Sequence, residues 1–227
     1  MILNCDALEY MRFMPEGWAD VIITDPPYRT ISGGEGGADG RPSGVLRAND
    51  GRIFEHNDVT PAEWMPLLHR ALKSPGHCYV MTNLINLWDM QQLAVSCGFK
   101  VHNLLVWVKN TVNPNRWYMK NVEYILFLRK GPARAINTPS LKMTLHHDNL
   151  TGPNRDHPTM KPVGLMRDMI LASSLPGDLV FDPFTGTGST GIAAVECGRR
   201  FVGCEIDREY HAKAIRKHDT TGAARKG

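Results

Sequence analysis

Short apolar runs rich in β-branched residues alternate with longer stretches in which apolar positions recur every three or four residues, and the alternation persists over most of the chain. Residues 20–24 predict a strand, as do 78–82, 104–108, 123–128, 179–182 and 201–205. Helices are expected over 61–72, with Thr60 as N-cap and an interior proline, over 86–97 closed by Gly98, over 162–174, over 189–197 closed by Gly198, and over 208–217. Strands alternating with helices imply right-handed crossovers and a mostly parallel sheet covered by helices. Two segments break the pattern. Residues 29–57 carry seven glycines and almost no apolar periodicity, and read as a long mobile loop. Residues 131–158 have turn residues and no clear period, and read as a surface excursion.

The most specific chemistry lies directly after two of these strands. Asp25-Pro26-Pro27-Tyr28 follows Val21-Ile22-Ile23-Thr24, and Asp182-Pro183-Phe184-Thr185-Gly186-Thr187-Gly188 follows Leu179-Val180-Phe181. In open α/β sheets, ligands bind at strand ends where the strand order reverses, so adjacent strands here would bring both loops to one edge. Two consecutive prolines have fixed φ and no amide hydrogen. The Asp25 carboxylate and Pro26 carbonyl therefore become rigid acceptors beside the flat ring of Tyr28. That set suits a planar ligand with an exocyclic amino group, which donates two hydrogens and stacks on the ring. The glycine loop lets backbone approach a ligand, but no lysine follows its last glycine, which excludes a P-loop. Glu205, about 20 residues on at the end of the next strand, stands where an acid binds both ribose hydroxyls, with Asp207 as the weaker candidate.

Composition narrows the class further. The chain has 227 residues, 42% apolar and 22% charged, enough for one well-filled core, and no apolar run near membrane-span length. These features predict a soluble, cytoplasmic protein. The five cysteines are scattered and form no C-x-x-C pair, so neither a disulfide framework nor a zinc site is expected, and no metal is called for. His146, His147 and His157 lack partner ligands at metal spacing and read as polar surface. Net charge is +3, yet ten Lys/Arg against three Asp/Glu over residues 100–161 give +7 there and leave −4 elsewhere. That polarity points to a nucleic-acid-facing surface.

Together these motifs resemble the amino-methylating DNA methyltransferases that use S-adenosylmethionine. The order, Asp-Pro-Pro-Tyr before Phe-x-Gly-x-Gly, resembles the permuted β class. Asn4-Cys5-Asp6, residues 105–110 (Leu-Val-Trp-Val-Lys-Asn), residues 121–126 (Asn-Val-Glu-Tyr-Ile-Leu) and His157-Pro158-Thr159-Met160-Lys161-Pro162 resemble further family segments in the right order. The resemblance implies an α/β, doubly wound, mostly parallel, seven-stranded Rossmann-like sheet with helices on both faces, and one catalytic domain over residues 1–227. It implies a target base flipped from double-stranded DNA, held by Asp25, Pro26, Pro27 and Tyr28, and methylated by direct displacement. It places Asp6, Asp25, Thr159, Lys161, Asp182, Phe184, Thr185, Gly186, Thr187, Gly188 and Glu205 around the cofactor. Asp25 in the first motif position favours adenine N6. The family's recognition insert is short here, so Arg29, Lys109, Asn115, Arg116, Lys120, Arg134 and Lys142 are expected to face DNA, within 29–57 and 109–158. A reader this compact suggests a homodimer. N4-cytosine methylation, an RNA substrate and a catalytically silent DNA-binding regulator stay open on sequence alone.

Overall fold

The computed structural model describes residues 1–27, 59–113, 118–149 and 160–224. Its strands are β1 (Ile2–Asn4), β2 (Ala19–Thr24), β3 (Leu72–Thr82), β4 (Lys100–Asn113), β5 (Lys120–Lys130), β6 (Thr144–His146), β7 (Leu179–Asp182) and β8 (Arg200–Glu205). The helices are α1 (Ala7–Phe13), α2 (Pro61–Ala71), α3 (Leu84–Ser96), α4 (Val163–Ser173), α5 (Ser189–Glu196) and α6 (Arg208–Ala224). All eight strands form one sheet in the order β1-β8-β7-β2-β3-β5-β4-β6. Neighbours pair in parallel except around β5, which runs against both β3 and β4.

Alternation along each strand sends side chains to opposite faces. Ile22, Cys78, Val80, Leu126, Leu128 and Phe181 pack under α1, α2 and α3 through Leu8, Met11, Trp64, Met65, Leu68 and Met90. Val21, Ile23, Tyr79, Met81, Ile125 and Phe127 pack on the other face under α4, α5 and α6 through Leu165, Met166, Met169, Ile170, Ala193 and Ala214. The sheet is thus doubly wound. The crossover from β2 to β3 carries its helix α2 on the first face, and that from β7 to β8 carries α5 on the second. Adjacent β2 and β7 therefore form the topological switch point.

Local signals explain most boundaries. The Thr60 N–H and hydroxyl both donate to the Glu63 carboxylate (2.8 Å each), a capping box that starts α2, and the helix continues through Pro66. Asn83 caps α3 by accepting from Asn86 N–H, so the helix begins at Leu84, two residues before the expected start. Two departures stand out. The sheet has eight strands where the family resemblance implied seven, because residues 144–146, inside the expected surface excursion, add an edge strand to β4. Without β6 the outer edge of β4 would leave backbone groups unpaired; instead the Val106 N–H donates to the Met143 carbonyl (2.8 Å), and Leu145 is buried beside Trp107. The other departure is β1 and α1, which the alternation did not predict. Asp6 nucleates α1 by accepting from Leu8 N–H (2.6 Å) and Glu9 N–H (3.0 Å).

At the centre, Phe181 is fully buried with its ring 4.8 Å from that of Trp18 and 6.2 Å from that of Tyr10. Phe181→Ala leaves a cavity between β7 and α1 and is expected to cost about 3–5 kcal/mol in urea unfolding, while Phe181→Leu costs less than half of that.

Candidate active site

Asp25 follows the last residue of β2, and the buried Pro26 holds the corner that carries it. The Lys161 ammonium is ion-paired with Asp25 Oδ2 and lies 3.5 Å from Glu123 Oε2. Lys161 is 7% exposed, in the segment that enters α4 through Pro162, so the α4 entry is tied to the end of β2. Glu123, on β5 opposite Trp107 of β4, is also ion-paired with Lys109, whose ammonium sits 5.1 Å from the Trp107 ring centre. Burial pushes the Glu123 carboxyl up, but the Lys161 and Lys109 charges and their hydrogen bonds together outweigh it and hold its pKa below the usual value.

The glycine loop opens on the same edge, since Val21 pairs with Val180 and Ile22 with Phe181. Asp182 braces it from below. Its Oδ1 accepts from Thr24 Oγ1 (2.9 Å) and Phe184 N–H (3.1 Å), and its Oδ2 accepts from Thr190 Oγ1 (2.7 Å). Burial pushes the Asp182 carboxyl up to about 7, against the pull of these donors, and the nearby Asp25 charge adds to the rise. Gly186 and Gly188 hold φ of 55° and 91°, a left-handed conformation that only glycine adopts without strain. A β-carbon at Gly186 would meet nothing within 4 Å among the described residues, so the backbone there leaves room for close approach. Glu205 closes the site. Its Oε2 accepts from Gly186 N–H and its Oε1 from Asp207 N–H, both at 2.8 Å, which fixes the plane of the carboxylate. Asn4 donates to the Glu205 and Ile206 carbonyls (2.9 and 3.0 Å), so the ends of β1 and β8 meet. Asp207 instead caps α6 by accepting from Glu209 and Tyr210 N–H (2.8 and 3.0 Å).

Of the residues singled out in the sequence, Asp25, Pro26, Pro27, Lys161, Phe184, Gly186, Gly188 and Glu205 gather on this edge. Asp6 lies just beyond β1 and spends Oδ1 on capping α1. Asp182 and Thr185 face inward rather than toward a ligand. Asp182 is 3% exposed with both oxygens occupied, and Thr185 Oγ1 donates to the Asp182 carbonyl (2.9 Å). Thr187 is buried as well. Two expected DNA-facing residues are engaged within the fold. Lys109 is bound to Glu123, and Arg134 sits past the end of β5, toward the strand starts, where its guanidinium donates to the Ser173 carbonyl. The Arg134 carbonyl accepts from His77 Nε2 (3.2 Å), which fixes this segment at the edge opposite the glycine loop. Lys120 and Lys142 are exposed. His147, expected as polar surface, instead pairs with Asp168 (2.7 Å), and among the described residues no cluster could hold a metal. Tyr28, Arg29, Asn115, Arg116, Thr159 and His157 lie outside the described residues.

Glu123 was missed as a site residue. Its signal was an acid opening an apolar strand with Ile125 and Phe127 on the same face, where solvent is excluded.

A doubly wound sheet that presents an Asp-Pro-Pro corner and a glycine loop on one edge is the arrangement that the resemblance to amino-methylating transferases implies. The pattern of a DNA methylase family matches residues 19–216, and the chain belongs to that family. It is 29% identical over 230 residues to Type II methyltransferase M2.DpnII of Streptococcus pneumoniae, covering 92% of this chain and 86% of the relative. Type II methyltransferase M2.MboI of Moraxella bovis is 26% identical over 95% of this chain and 85% of its own length. The crystal structure of the M1.HpyAVI–SAM complex superposes with a TM-score of 0.70 at 25% identity, covering 96% of this chain and 98% of that one. PvuII DNA methyltransferase (cytosine-N4-specific), at 18% identity, TM-score 0.72 and coverage of 95% and 85%, shares the fold.

The raised Asp182 value carries a stability signature. An acid that holds its proton more tightly folded than unfolded favours the fold at low pH, and this contribution is lost as pH rises from about 4 to about 7. Asp182→Asn is expected to flatten that part of the pH dependence, by up to ~4 kcal/mol between the limits, in melts collected from pH 4 to 8.

Proposed function

We propose that this protein transfers the methyl group of S-adenosylmethionine to the exocyclic N6 amino group of an adenine in a specific double-stranded DNA sequence. One observation carries the reading: the parallel pairing of β2 and β7 opens Asp25-Pro26-Pro27 and the 184–188 loop on the same edge. The residues there fit the cofactor. Glu205 is held in plane by two backbone donors at the end of β8, where a carboxylate can accept from ribose hydroxyls. The bare Gly186 backbone admits close approach, Phe184 belongs to the same loop, and Asp6, just beyond β1, would bear on the adenine. Lys161, anchored on Asp25, would bear on the methionine part, a role proposed for Thr159 as well.

S-adenosylmethionine supplies a methyl group already activated on a sulfonium. The chain's task is to prepare the acceptor. The Asp25 carboxylate and Pro26 carbonyl take the two amino hydrogens of the flipped base, Tyr28 stacks on its ring, and Pro27 fixes the corner. Hydrogen bonds to both hydrogens draw the nitrogen toward sp³ geometry and free its lone pair for in-line attack; as the N–C bond forms the C–S bond would break to leave a neutral thioether, and the nitrogen would then release one of its two protons past Asp25 to solvent. Rate then comes from positioning and exclusion of water. No thiol takes part, and burial pushes the Cys78 and Cys204 thiols far above their usual value. Arg29, Lys120 and Lys142, with Asn115 and Arg116, would bear on DNA. A second copy would complete the reading surface, and sedimentation with and without duplex reports on that homodimer. A DNA substrate and five cysteines with no disulfide among them suit a cytoplasmic setting.

The test is incubation with methyl-labelled S-adenosylmethionine and mixed-sequence duplex, followed by digestion to nucleosides and mass spectrometry. Label in N6-methyldeoxyadenosine is expected, and Asp25→Ala should lower it by ~10²-fold or more while DNA binding persists. Label in N4-methyldeoxycytidine reassigns the base; label in RNA alone reassigns the substrate; no label in any nucleic acid leaves a silent binding fold. Separately, Glu205→Gln should weaken cofactor affinity roughly tenfold or more by calorimetry, because a charged acceptor of the ribose is lost.

A further inference from the structure

Four charged side chains of alternating sign run in a row from the sheet into the active-site edge: Lys109 on β4, Glu123 on β5, Lys161 before α4, and Asp25 after β2. Their formal charges cancel. The row is largely shielded from water, with side-chain exposures of 14%, 23%, 8% and 23% in that order. Buried ion pairs are weak sources of stability, because desolvation opposes the attraction, so packing alone gives little reason for such a row. Its position beside Asp25 does. Lys161 holds one carboxylate oxygen of Asp25, and an ammonium in that place also raises the local positive potential.

The reacting cofactor makes that potential matter. S-adenosylmethionine carries one more positive charge than S-adenosylhomocysteine, the thioether left after transfer, and the two are otherwise nearly isosteric. A net positive cluster near Asp25 would therefore disfavour the methyl donor relative to the spent product. Glu123 removes that net charge. It lies 3.5 Å from the Lys161 ammonium and is secured from its other side by Lys109, itself held over the Trp107 ring. Trp107 is fixed in turn by its indole N–H, which donates to the His147 carbonyl (2.8 Å).

We propose that Glu123 is a positioning residue for methyl transfer: held by Lys109, it offsets the charge of Lys161, so that Lys161 fixes Asp25 without repelling the cationic methyl donor. The inference rests on the methyl-transfer reading above and assigns Lys109 to the site rather than to DNA.

The experiment measures dissociation constants for S-adenosylmethionine and S-adenosylhomocysteine by calorimetry, at one ionic strength, in wild type, Glu123→Gln, Lys109→Met and the double variant. Glu123→Gln leaves the row at +1, and the ratio of the two constants should move roughly three- to tenfold against S-adenosylmethionine. Lys109→Met leaves it at −1, and the ratio should move the other way. The double variant restores neutrality, and its ratio should return close to that of wild type. A purely structural role would weaken both ligands together. The proposal is overturned if the two single variants shift the ratio in the same direction, or if neither shifts it. If Glu123→Gln does not fold, Lys109→Met alone decides, since loss of a cation must favour the charged ligand. Wild type that binds neither ligand removes the methyl-transfer reading itself; wild type that binds both, with unchanged ratios in the variants, removes only the role of Glu123.

Discussion

The parallel pairing of β2 with β7 is the constraint on which the rest depends. Ile22 sits beside Phe181 and Val21 beside Val180, and the residues beyond them are set one strand spacing apart. The Asp-Pro-Pro corner and the glycine loop are 157 positions apart in the chain, and only this ladder makes them neighbours. The same register lets the Thr24 hydroxyl reach across to Asp182, so the link between the two loops includes a buried side-chain bond as well as main chain. Helices assigned to opposite faces on either side of the pair leave the edge open above it.

That edge has to accommodate two acids at adjacent strand ends, and it treats them differently. Asp182 is enclosed, its oxygens are saturated by hydroxyl and amide donors, and burial brings its ionisation near neutrality. Asp25 stays half-buried and is answered by an ammonium. One carboxyl thus serves as a brace for the loop while the other is presented outward with its charge compensated. Two unscreened carboxylates at this spacing would repel each other and loosen the loop they support.

Much of this was readable in the residues. The switch from period two to period 3.6 located β2, β7 and β8 and the helices α2, α4, α5 and α6 to within a few positions, except that α6 runs seven residues past its expected end. Asp25, Gly186 and Glu205 were legible because their chemistry is local: prolines that fix acceptors, a glycine with positive φ, an acid at a strand end. Long-range contacts were not legible. Nothing in the spacing of Lys109 says that it turns inward to Glu123, and the +7 charge of the middle region counted it as surface. Arg134 misled for the same reason, since its partner Ser173 lies on another element. The inward turn of Asp182 depends on Thr24 and Thr190, which sequence order separates. Edge strand β6 and strand β1 are three residues each, too short to show a period.

Strand β1 has a consequence for how the protein is made. It pairs with β8, Ile2 beside Gly203 and Asn4 beside Glu205, so β1 leaves the ribosome long before its partner and must wait for it. Likewise β2 has no neighbour on one side until β7 is synthesised. Until then the nascent chain carries open strand edges and half a core, and the sheet can close only after residue 205 has emerged. Assembly thereby waits for β7 and β8, whose arrival brings the glycine loop and the Asp-Pro-Pro corner together and completes the sheet.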